Sequence, residues 1–360
     1  MHPTATRKLL LIELWGLGDL TFATAIIPAL RAKYQVTVLA KAHARPLLAP
    51  SFPTLDFIEW DAPWTAFRDK YRFRRWNWRE LLSIVNNLQG HHFEHALSVR
   101  DDPRDHALMW LSRVSERHGF PRKGSNLLLT HSLASPGRNE HRVERWRRLA
   151  EAVGCASEHS EPRLNHAAYR SARIDQLWDK IRRPVFCLHA GARIATRRWP
   201  ESSFAYILER VRAAYSFDIL LLPDPDGYGA ALAPLADHVI DRLSIGELVD
   251  LLGRVDLLFS NDSAPAHLAA ACGRPVISVF GPTHPAWFHP WNNRERVILR
   301  DICPWRPCFD NCKFSEPHCL TKLLPELVWT EIKTHIDAVL TSGSAGKMSA
   351  DSGTEMSTLP

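Results

Sequence analysis

The segment from Val255 to Thr283 constrains the fold of this chain more than any other part of its sequence. Residues 255–259 form a short apolar run typical of a buried strand, and Asn261, Asp262 and Ser263 favour the N-cap of a helix. A small-residue helix over 264–272 and a second apolar strand over 275–280 complete a predicted βαβ unit. Its helix N-terminus at the carboxyl edge of a parallel sheet favours an anion such as a diphosphate. The alternative is an ordinary capped crossover without a ligand.

The same residues carry a resemblance to a known family. The run Asn261-Asp-Ser-Ala-Pro-Ala-His-Leu-Ala-Ala-Ala, followed by Val279-Phe-Gly-Pro-Thr, resembles the donor-binding motif of glycosyltransferase family 9, the lipopolysaccharide heptosyltransferases. In that family the acid and the hydroxyl residue at the helix start contact the sugar and the diphosphate of a nucleotide-linked heptose. The resemblance therefore implies a donor site that includes Asp262, Ser263, His267, Gly281 and Thr283.

The N-terminal stretch predicts a second site at a sheet edge. Residues 9–15 read as a buried strand, and Gly16-Leu-Gly18-Asp19 leads into a helix from about Thr21 that Pro28 should kink. This pattern is not the G-x-G-x-x-G fingerprint, so no dinucleotide is implied. It resembles the opening of family 9 enzymes, where the acid after the second glycine is the proposed general base. Asp19 occupies that position, and Gly18 is assigned to the acceptor site. The alternative is that Asp19 simply caps the helix.

A basic aromatic segment, residues 64–79, is predicted to bind the acceptor. It interleaves arginines with aromatic residues, a composition that suits anionic groups and a lipid interface. Its Arg74-Arg75-Trp76 resembles the family segment that engages the phosphorylated lipid acceptor. We therefore assign Arg74, Arg75, Arg79 and Asp101, which follows a predicted strand over 96–99, to the acceptor site. A solvated helix with a half-buried aromatic face is the alternative.

The second half of the chain supplies further donor-site candidates. Arg197-Arg-Trp-Pro200 resembles the family's Lys-x-Trp-Pro motif, whose lysine neutralises the donor phosphates. Arg197 keeps the charge but presents a bulkier, forked group, and Arg193 or Arg198 could share its role. In the loop after the predicted strand 218–222, Asp226 or Asp224 is placed to hold ribose hydroxyls, although turn chemistry explains both aspartates equally well.

Four cysteines, Cys303, Cys308, Cys312 and Cys319, lie close together near the C-terminal end. Such a group can bind zinc or an iron–sulfur cluster, but the spacing is not a paired C-x-x-C framework. Comparable clusters occur in many family 9 members, whose glycosyl transfer is not thought to need a metal. We therefore predict a structural loop, no metal and no cofactor.

The whole sequence indicates an α/β protein of the GT-B type, with two Rossmann-like βαβ domains facing each other across a cleft. We predict an N-terminal acceptor domain over 1–160, a linker over 161–182, a C-terminal donor domain over 183–341 and a disordered tail over 342–360. The chain has 360 residues and a net charge of +6, so acidic partners are expected, but no nucleic-acid-binding motif is present.

The cysteine content and the N-terminus predict the location. Seven scattered cysteines, an odd number, favour a reducing compartment. Glu13 and Asp19 interrupt the N-terminal apolar run, which therefore reads as a strand rather than a secretory signal, and no run is long enough to span a membrane. We expect a monomeric cytoplasmic enzyme, peripheral at the inner membrane.

The predicted activity is an inverting, metal-independent transfer of heptose from ADP-heptose to the inner core of lipopolysaccharide, an anionic lipid-linked saccharide. Transfer of another sugar, or to a capsule or O-antigen acceptor, is one alternative. A non-catalytic protein that binds anionic surfaces is the other.

Overall fold

The chain folds into two parallel β-sheets. The computed structural model describes residues 7–66, 71–156, 158–240, 242–309 and 311–351, so positions 67–70 of the basic aromatic segment and the predicted tail beyond 351 lie outside the described residues. The first sheet contains β1 (Lys8–Ile12), β2 (Gln35–Ala40), β3 (Asp56–Glu59), β4 (His95–Ser98), β5 (Glu116–Gly119) and β6 (His131–Ser132). The second contains β7 (Val185–His189), β8 (Asp218–Leu221), β9 (His238–Val239), β10 (Leu257–Asn261), β11 (Val276–Phe280) and β12 (Val297–Leu299).

The α-helices connect and cover these strands. They are α1 (Leu17–Ala23), α2 (Ile27–Arg31), α3 (Ala44–Leu48), α4 (Trp78–His91), α5 (Pro103–Leu111), α6 (Arg142–Ala152), α7 (Ala172–Trp178), α8 (Glu201–Ala214), α9 (Ile245–Leu252), α10 (Ala264–Ala271), α11 (Pro285–Phe288), α12 (His318–Thr321) and α13 (Pro325–Asp351). The predicted βαβ unit is confirmed as β10, α10 and β11. The predicted kink near Pro28 is a complete break between α1 and α2, because proline favours the first turn of a new helix.

Both sheets have the strand order of a Rossmann fold. The first runs β3-β2-β1-β4-β5-β6, and the second, counted from β7, repeats that order as β12-β11-β10-β7-β8-β9. Alternate residues of β1 and of β7 belong to different apolar clusters, so each sheet is buried on both faces, as parallel sheets require. This confirms the predicted α/β fold with two Rossmann-like halves.

The order of the strands fixes where ligands can bind. In such sheets the crevice lies beyond the carboxyl ends of the two strands at which the winding direction reverses. Those strands are β1 and β4 in the first sheet and β7 and β10 in the second. The loops that follow these four strands therefore define the expected site.

The segment predicted as a linker, 161–182, contains α7 and is bound to both halves. The backbone N–H of Arg163 donates to Thr24 Oγ1 at the end of α1, at 3.0 Å, and that of Leu164 donates to the carbonyl of Ala271 at the end of α10, at 2.9 Å. Tyr169 is buried, and its hydroxyl donates to the carbonyl of Leu47. The segment is thus an integral part of the core between the two halves.

The last helix, α13, continues to Asp351 and so overlaps the start of the segment predicted as a disordered tail. None of the described helices combines the length and the apolar character needed to cross a bilayer.

Candidate active site

The predicted catalytic acid faces the second half of the chain. Asp19 lies in the first turn of α1, directly after β1, and its side chain is 21% exposed. Its Oδ1 is 4.0 Å from Arg142 Nε and has no hydrogen-bond partner among the described residues. Burial raises the pKa of Asp19 above its ordinary value, although Arg142, Arg197 and Arg100 act to lower it. The influence of Arg197 comes from the other sheet, so the acid and the donor half meet across the cleft.

The two halves touch at Gly18. A Cβ at this position would lie 2.6 Å from Cδ2 of His267, a distance that no real side chain tolerates. The His267 ring also packs edge-on against Phe22, with centroids 4.8 Å apart. The start of α1 therefore packs on α10 only because residue 18 is a glycine. The predicted acceptor role of Gly18 is untested, and the structure gives it a role in apposing the two halves.

Two arginines pack against one indole ring beside Asp19, and we call Trp15, Arg100 and Arg142 the arginine clamp. The guanidinium carbons of Arg100 and Arg142 lie 4.9 and 4.8 Å from the ring centroid of Trp15. Arg100 follows β4, and its Nη2 donates to Asp102 Oδ2 at 3.0 Å. The sequence analysis missed this clamp: it selected Asp101 after β4, and it did not single out Arg142. Only the tertiary fold brings the two arginines onto Trp15.

A second carboxyl group, also missed from the sequence, lies beneath Asp19. Glu13 is fully buried; its Oε1 accepts the Trp15 N–H at 3.0 Å, and its Oε2 has no partner among the described residues. Burial, and then the neighbouring charge of Asp19, raise the pKa of Glu13 to about 8. Glu13 therefore carries a proton at neutral pH. Glu13 directly follows the continuous apolar run of β1, which could have indicated its burial, but the sequence analysis used the residue only to argue against a signal peptide.

The start of α10 is built around Asp262. Thr283 Oγ1 donates to Asp262 Oδ2 at 2.5 Å, and Arg197 Nη1 lies 3.5 Å from the same oxygen. His267 Nε2 is 3.8 Å from Asp262 Oδ1. The structure thus brings Asp262, Thr283, Arg197 and His267 together as predicted. Asp262 is hydrogen-bonded to Thr283 and lies beside the cation and the imidazole without a direct hydrogen bond to either.

Ser263 occupies the N-cap of α10 but does not cap it. Its backbone is extended and its side chain accepts no N–H from the helix, while its hydroxyl lies 3.3 Å from Nδ1 of His189, the last residue of β7. The first N–H groups of α10 therefore keep their capacity for an anion.

The imidazole of His267 is neutral at physiological pH. Burial lowers its pKa to about 4, more strongly than Asp262 raises it. The donor contact predicted for His267 stays a prediction, and a neutral ring makes it by donating one hydrogen bond and accepting another.

The other predicted donor residues differ in their surroundings. Arg193 is exposed after β7, and its Nη1 lies 4.0 Å from a Cβ built on Gly16, at the cleft. Arg198 instead binds both Asp224, at 3.1 Å, and Asp226 through its Nη2. These two aspartates are thus engaged with a cation of their own half. The ribose role of Asp226 stays a prediction, and its half-exposed carboxylate keeps acceptor capacity beyond the contact with Arg198.

Two motif residues hold the donor half together. Asn261 Oδ1 accepts the backbone N–H of Trp199 at 3.0 Å, and its Nδ2 donates to the carbonyl of Ala190 at 2.5 Å. Gly281 is required because a Cβ there would meet Leu320 at 2.8 Å. The donor contact predicted for Gly281 is untested; its visible role is close packing.

The basic aromatic segment is exposed and anchored beside the cleft. Arg74 and Arg75 lie on a single 3₁₀ turn and Arg79 in the first turn of α4, all three exposed. The neighbouring indole of Trp64 is buried, and its Nε1 donates to Asp105 Oδ1 at 2.8 Å. Ring contacts join Trp64 to Trp76, and Trp76 to Phe73 and Trp78.

The hydrogen bond between Trp64 and Asp105 connects the basic aromatic segment to the arginine clamp. Asp105 Oδ1 lies 3.5 Å from Arg100 Nη1, so the basic aromatic segment is connected to the arginines beside Asp19. The predicted acceptor residue Asp101 is half exposed, 3.6 Å from Arg122 Nε.

The four C-terminal cysteines carry free thiols. Among the residues that the structure describes, no three of their sulfur atoms lie within 4.8 Å of one another. The backbone N–H groups of Cys308 and Phe309 donate to the carbonyl of Pro282, at 3.1 and 3.3 Å. The cysteine loop is thereby held against the segment that carries Thr283.

Comparison with known proteins agrees with this geometry. Residues 81–318 match the family glycosyltransferase family 9 (heptosyltransferase). The lipopolysaccharide core heptosyltransferase OpsX of Haemophilus influenzae is 22% identical over 318 residues, 83% of this chain and 86% of that protein. The structure of the ADP-heptose lipopolysaccharide heptosyltransferase II of E. coli superposes with a TM-score of 0.68 at 19% identity, covering 94% of this chain and 99% of that one, which confirms the GT-B fold.

A further structure, the iron-containing dodecameric glycosyltransferase TibC of enterotoxigenic E. coli, is less similar. Its TM-score is 0.55 at 14% identity, and the match covers 93% of this chain and 78% of TibC. The family match spans well over half of the chain, and the motif residues meet in one cleft. The chain therefore belongs to glycosyltransferase family 9 and is a glycosyltransferase.

Proposed function

We propose that this enzyme transfers a heptose from ADP-heptose to a hydroxyl group of the lipopolysaccharide inner core, with inversion at the anomeric carbon. The names of OpsX and of the E. coli heptosyltransferase II support this donor and acceptor class. The observation that carries the proposal is the position of Asp19, which faces Arg197 and the start of α10 across the cleft.

Asp19 is the general base of the proposed reaction. As the acceptor hydroxyl attacks the anomeric carbon, its proton passes to the Asp19 carboxylate and the bond to the diphosphate breaks. A single displacement of this kind inverts the anomeric centre. The raised pKa of Asp19 makes it a stronger base than an ordinary carboxylate, and the proton on Glu13 keeps a second negative charge away from it.

The leaving diphosphate is stabilised by fixed groups of the donor half. The N–H groups at the start of α10, the Ser263 hydroxyl and the Arg197 guanidinium converge on the cleft, and Arg193 adds a second cation. Because these groups are preorganised, they supply the stabilisation that a divalent ion gives in other transferases. We propose that transfer needs no added metal, and that it continues in EDTA.

The acceptor binds along the basic aromatic segment. Exposed Tyr71, Phe73 and Trp78 alternate with Arg74 and Arg75, so rings can enter a lipid interface while guanidinium groups pair with phosphates. This arrangement supports a peripheral position at the cytoplasmic face of the inner membrane. The surface lies beside the arginine clamp, so a membrane-bound acceptor can extend its sugar to Asp19.

The replacement Asp19→Asn tests the proposed mechanism. It removes the base while keeping the shape of the side chain, and it should lower kcat by about 10²- to 10⁴-fold with little change in donor affinity. Asp179→Asn, an exposed aspartate at the end of α7, is the matched control. Unchanged turnover in a folded Asp19→Asn enzyme would exclude Asp19 as the base.

Calorimetry with a panel of nucleotide sugars tests the donor. ADP-heptose should bind more tightly than ADP-glucose or UDP-glucose. Tighter binding of either alternative would replace the proposed sugar or nucleotide while leaving the transferase activity intact.

A further inference from the structure

A row of imidazole and carboxyl groups crosses one face of the first sheet, away from the cleft. Glu116 and His118 lie two residues apart on β5, so both side chains are on the same face of the sheet. In the strand register, His95 of β4 is paired with Glu116, and His131 of β6 with His118. His95, Glu116 and His131 are the first residues of their strands, and His118 lies within β5, whereas Asp19 and the donor site lie beyond the carboxyl ends of the strands.

The contacts within this row leave one buried nitrogen without a partner. His118 is 1% exposed; its Nε2 lies 3.2 Å from His95 Nδ1, and its Nδ1 has no hydrogen-bond partner among the described residues. The ring of His131 stacks on that of His118 at 4.4 Å, and His131 Nε2 contacts Glu116 Oε2. One donor atom from each of Glu116, His118 and His131 lies within 4.8 Å of the other two.

We propose that Glu116, His118 and His131 bind one divalent transition-metal ion of the zinc type. Two imidazoles and one carboxylate are the ligands that Zn²⁺ accepts in three-ligand sites, and they do not favour Mg²⁺ or Ca²⁺. The side chain of His131 is 51% exposed, so its ring can turn from the stacked position and direct a nitrogen at the ion. Glu116, which contacts His131 in this structure, then binds the ion together with His131.

The groups next to His118 form a chain that includes a cation. His95 Nδ1 lies 3.2 Å from His118 Nε2, and His95 Nε2 lies 3.0 Å from Arg7 Nη2 and 3.5 Å from Glu94 Oε1, while Arg7 itself donates to Glu94. Because a guanidinium only donates, binding of the ion at Nδ1 of His118 requires His95 to turn its Nε2 from Arg7 toward Glu94, so that the Nε2–H of His118 can donate to His95 Nδ1.

The ion would join β5 to β6, a two-residue strand at the edge of the sheet. Its role is therefore to hold the edge of the acceptor domain together, and it takes no part in sugar transfer. The proposal does not depend on the identity of the donor.

Zinc binding to the full-length enzyme tests the site. In equilibrium dialysis against ZnCl₂, the wild type should bind one more equivalent than His131→Ala or Glu116→Gln. Zn²⁺ at roughly 100 times its Kd should raise the Tm of the wild type by about 5 °C over its value in EDTA, and this rise should be lost in both variants. His159→Ala, an exposed histidine outside the row, should retain both properties. Because His131 and Glu116 are partly exposed, the variants should fold, and their Tm in EDTA should equal that of the wild type.

Substitution with Co²⁺ separates this site from the cysteine loop. Cobalt at the proposed site gives ligand-field bands without the thiolate-to-cobalt charge transfer that a cysteine site shows. The proposal is overturned if both variants bind as much Zn²⁺ as the wild type, if the lost equivalent carries the thiolate bands, or if Zn²⁺ does not change Tm.

Discussion

The contact between Gly18 and His267 gives a quantitative test of how the two halves meet. In Gly18→Ala the new Cβ would lie 2.6 Å from His267 Cδ2, about 0.8 Å short of an ordinary contact of 3.4 Å. The imidazole is buried and held edge-on by Phe22, so it has little room to move away. The start of α1 and α10 must therefore separate by most of this distance.

The expected cost follows from that displacement. Overpacking of this kind typically destabilises a protein by about 1–3 kcal/mol, which corresponds to a fall in Tm of about 5 °C. A misplacement of about 1 Å between catalytic groups costs about 10²-fold in kcat/KM. The alanine lies in the first turn of α1, where it improves helix propensity, so local backbone effects cannot cause the loss.

Gly16→Ala is the matched control. Gly16 precedes α1 with an extended backbone (φ −93°, ψ −179°), and a Cβ there meets only the end of the Arg193 side chain, at 4.0 Å. Its Tm and kcat/KM should remain close to those of the wild type, within about 0.5 kcal/mol.

A double-mutant cycle completes the test. In a His267→Ala background the added methyl group meets no ring, so Gly18→Ala should no longer lower Tm. The reasoning is refuted if Gly18→Ala behaves like the Gly16 control, or if its effect on Tm is the same with and without the imidazole.

Two further predictions concern the buried acid and the acceptor surface. Because the pKa of Glu13 rises from 4.5 to about 8 on folding, its stabilising contribution is complete below pH 4.5 and is lost as pH rises to about 8. The free energy of unfolding of Glu13→Gln should therefore rise relative to that of the wild type between pH 5 and 8, by on the order of 1 kcal/mol per pH unit, and parallel pH profiles of the two proteins would contradict the prediction. The double variant Arg74→Ala/Arg75→Ala removes two exposed cations and should raise the KM for the lipid acceptor about tenfold while donor affinity stays unchanged. The control variant Arg182→Ala/Arg210→Ala removes two exposed cations elsewhere and should change neither value. A loss of donor affinity would assign the segment to the other substrate.

The parts of the structure that depend on local patterns could be predicted from the sequence. The βαβ unit around α10 combines an apolar run, N-cap residues and a terminal glycine, all within one segment. Asp19 was placed correctly at the carboxyl edge of the sheet, where the chain must emerge after a buried parallel strand, but it lies in the first turn of α1 and not in a loop before the helix. These features need only neighbouring residues and the general rule for parallel sheets.

The surroundings of the predicted residues could not be obtained in this way. Trp15, Arg100 and Arg142 come from three separate elements, and their packing depends on how the elements meet. Arg198 and Asp226 looked like donor-site candidates of opposite charge, and the fold pairs them with each other. The neutral state of a buried imidazole likewise follows from burial, which sequence spacing does not reveal.

The segment that connects the two halves has a consequence for substrate exchange. Its backbone is bonded to the end of α1 through Thr24 and to the end of α10 through Ala271, on the side opposite the helix starts that face the substrates. We therefore expect any opening of the cleft to pivot about this seam, so that the substrate side widens while the opposite side stays closed.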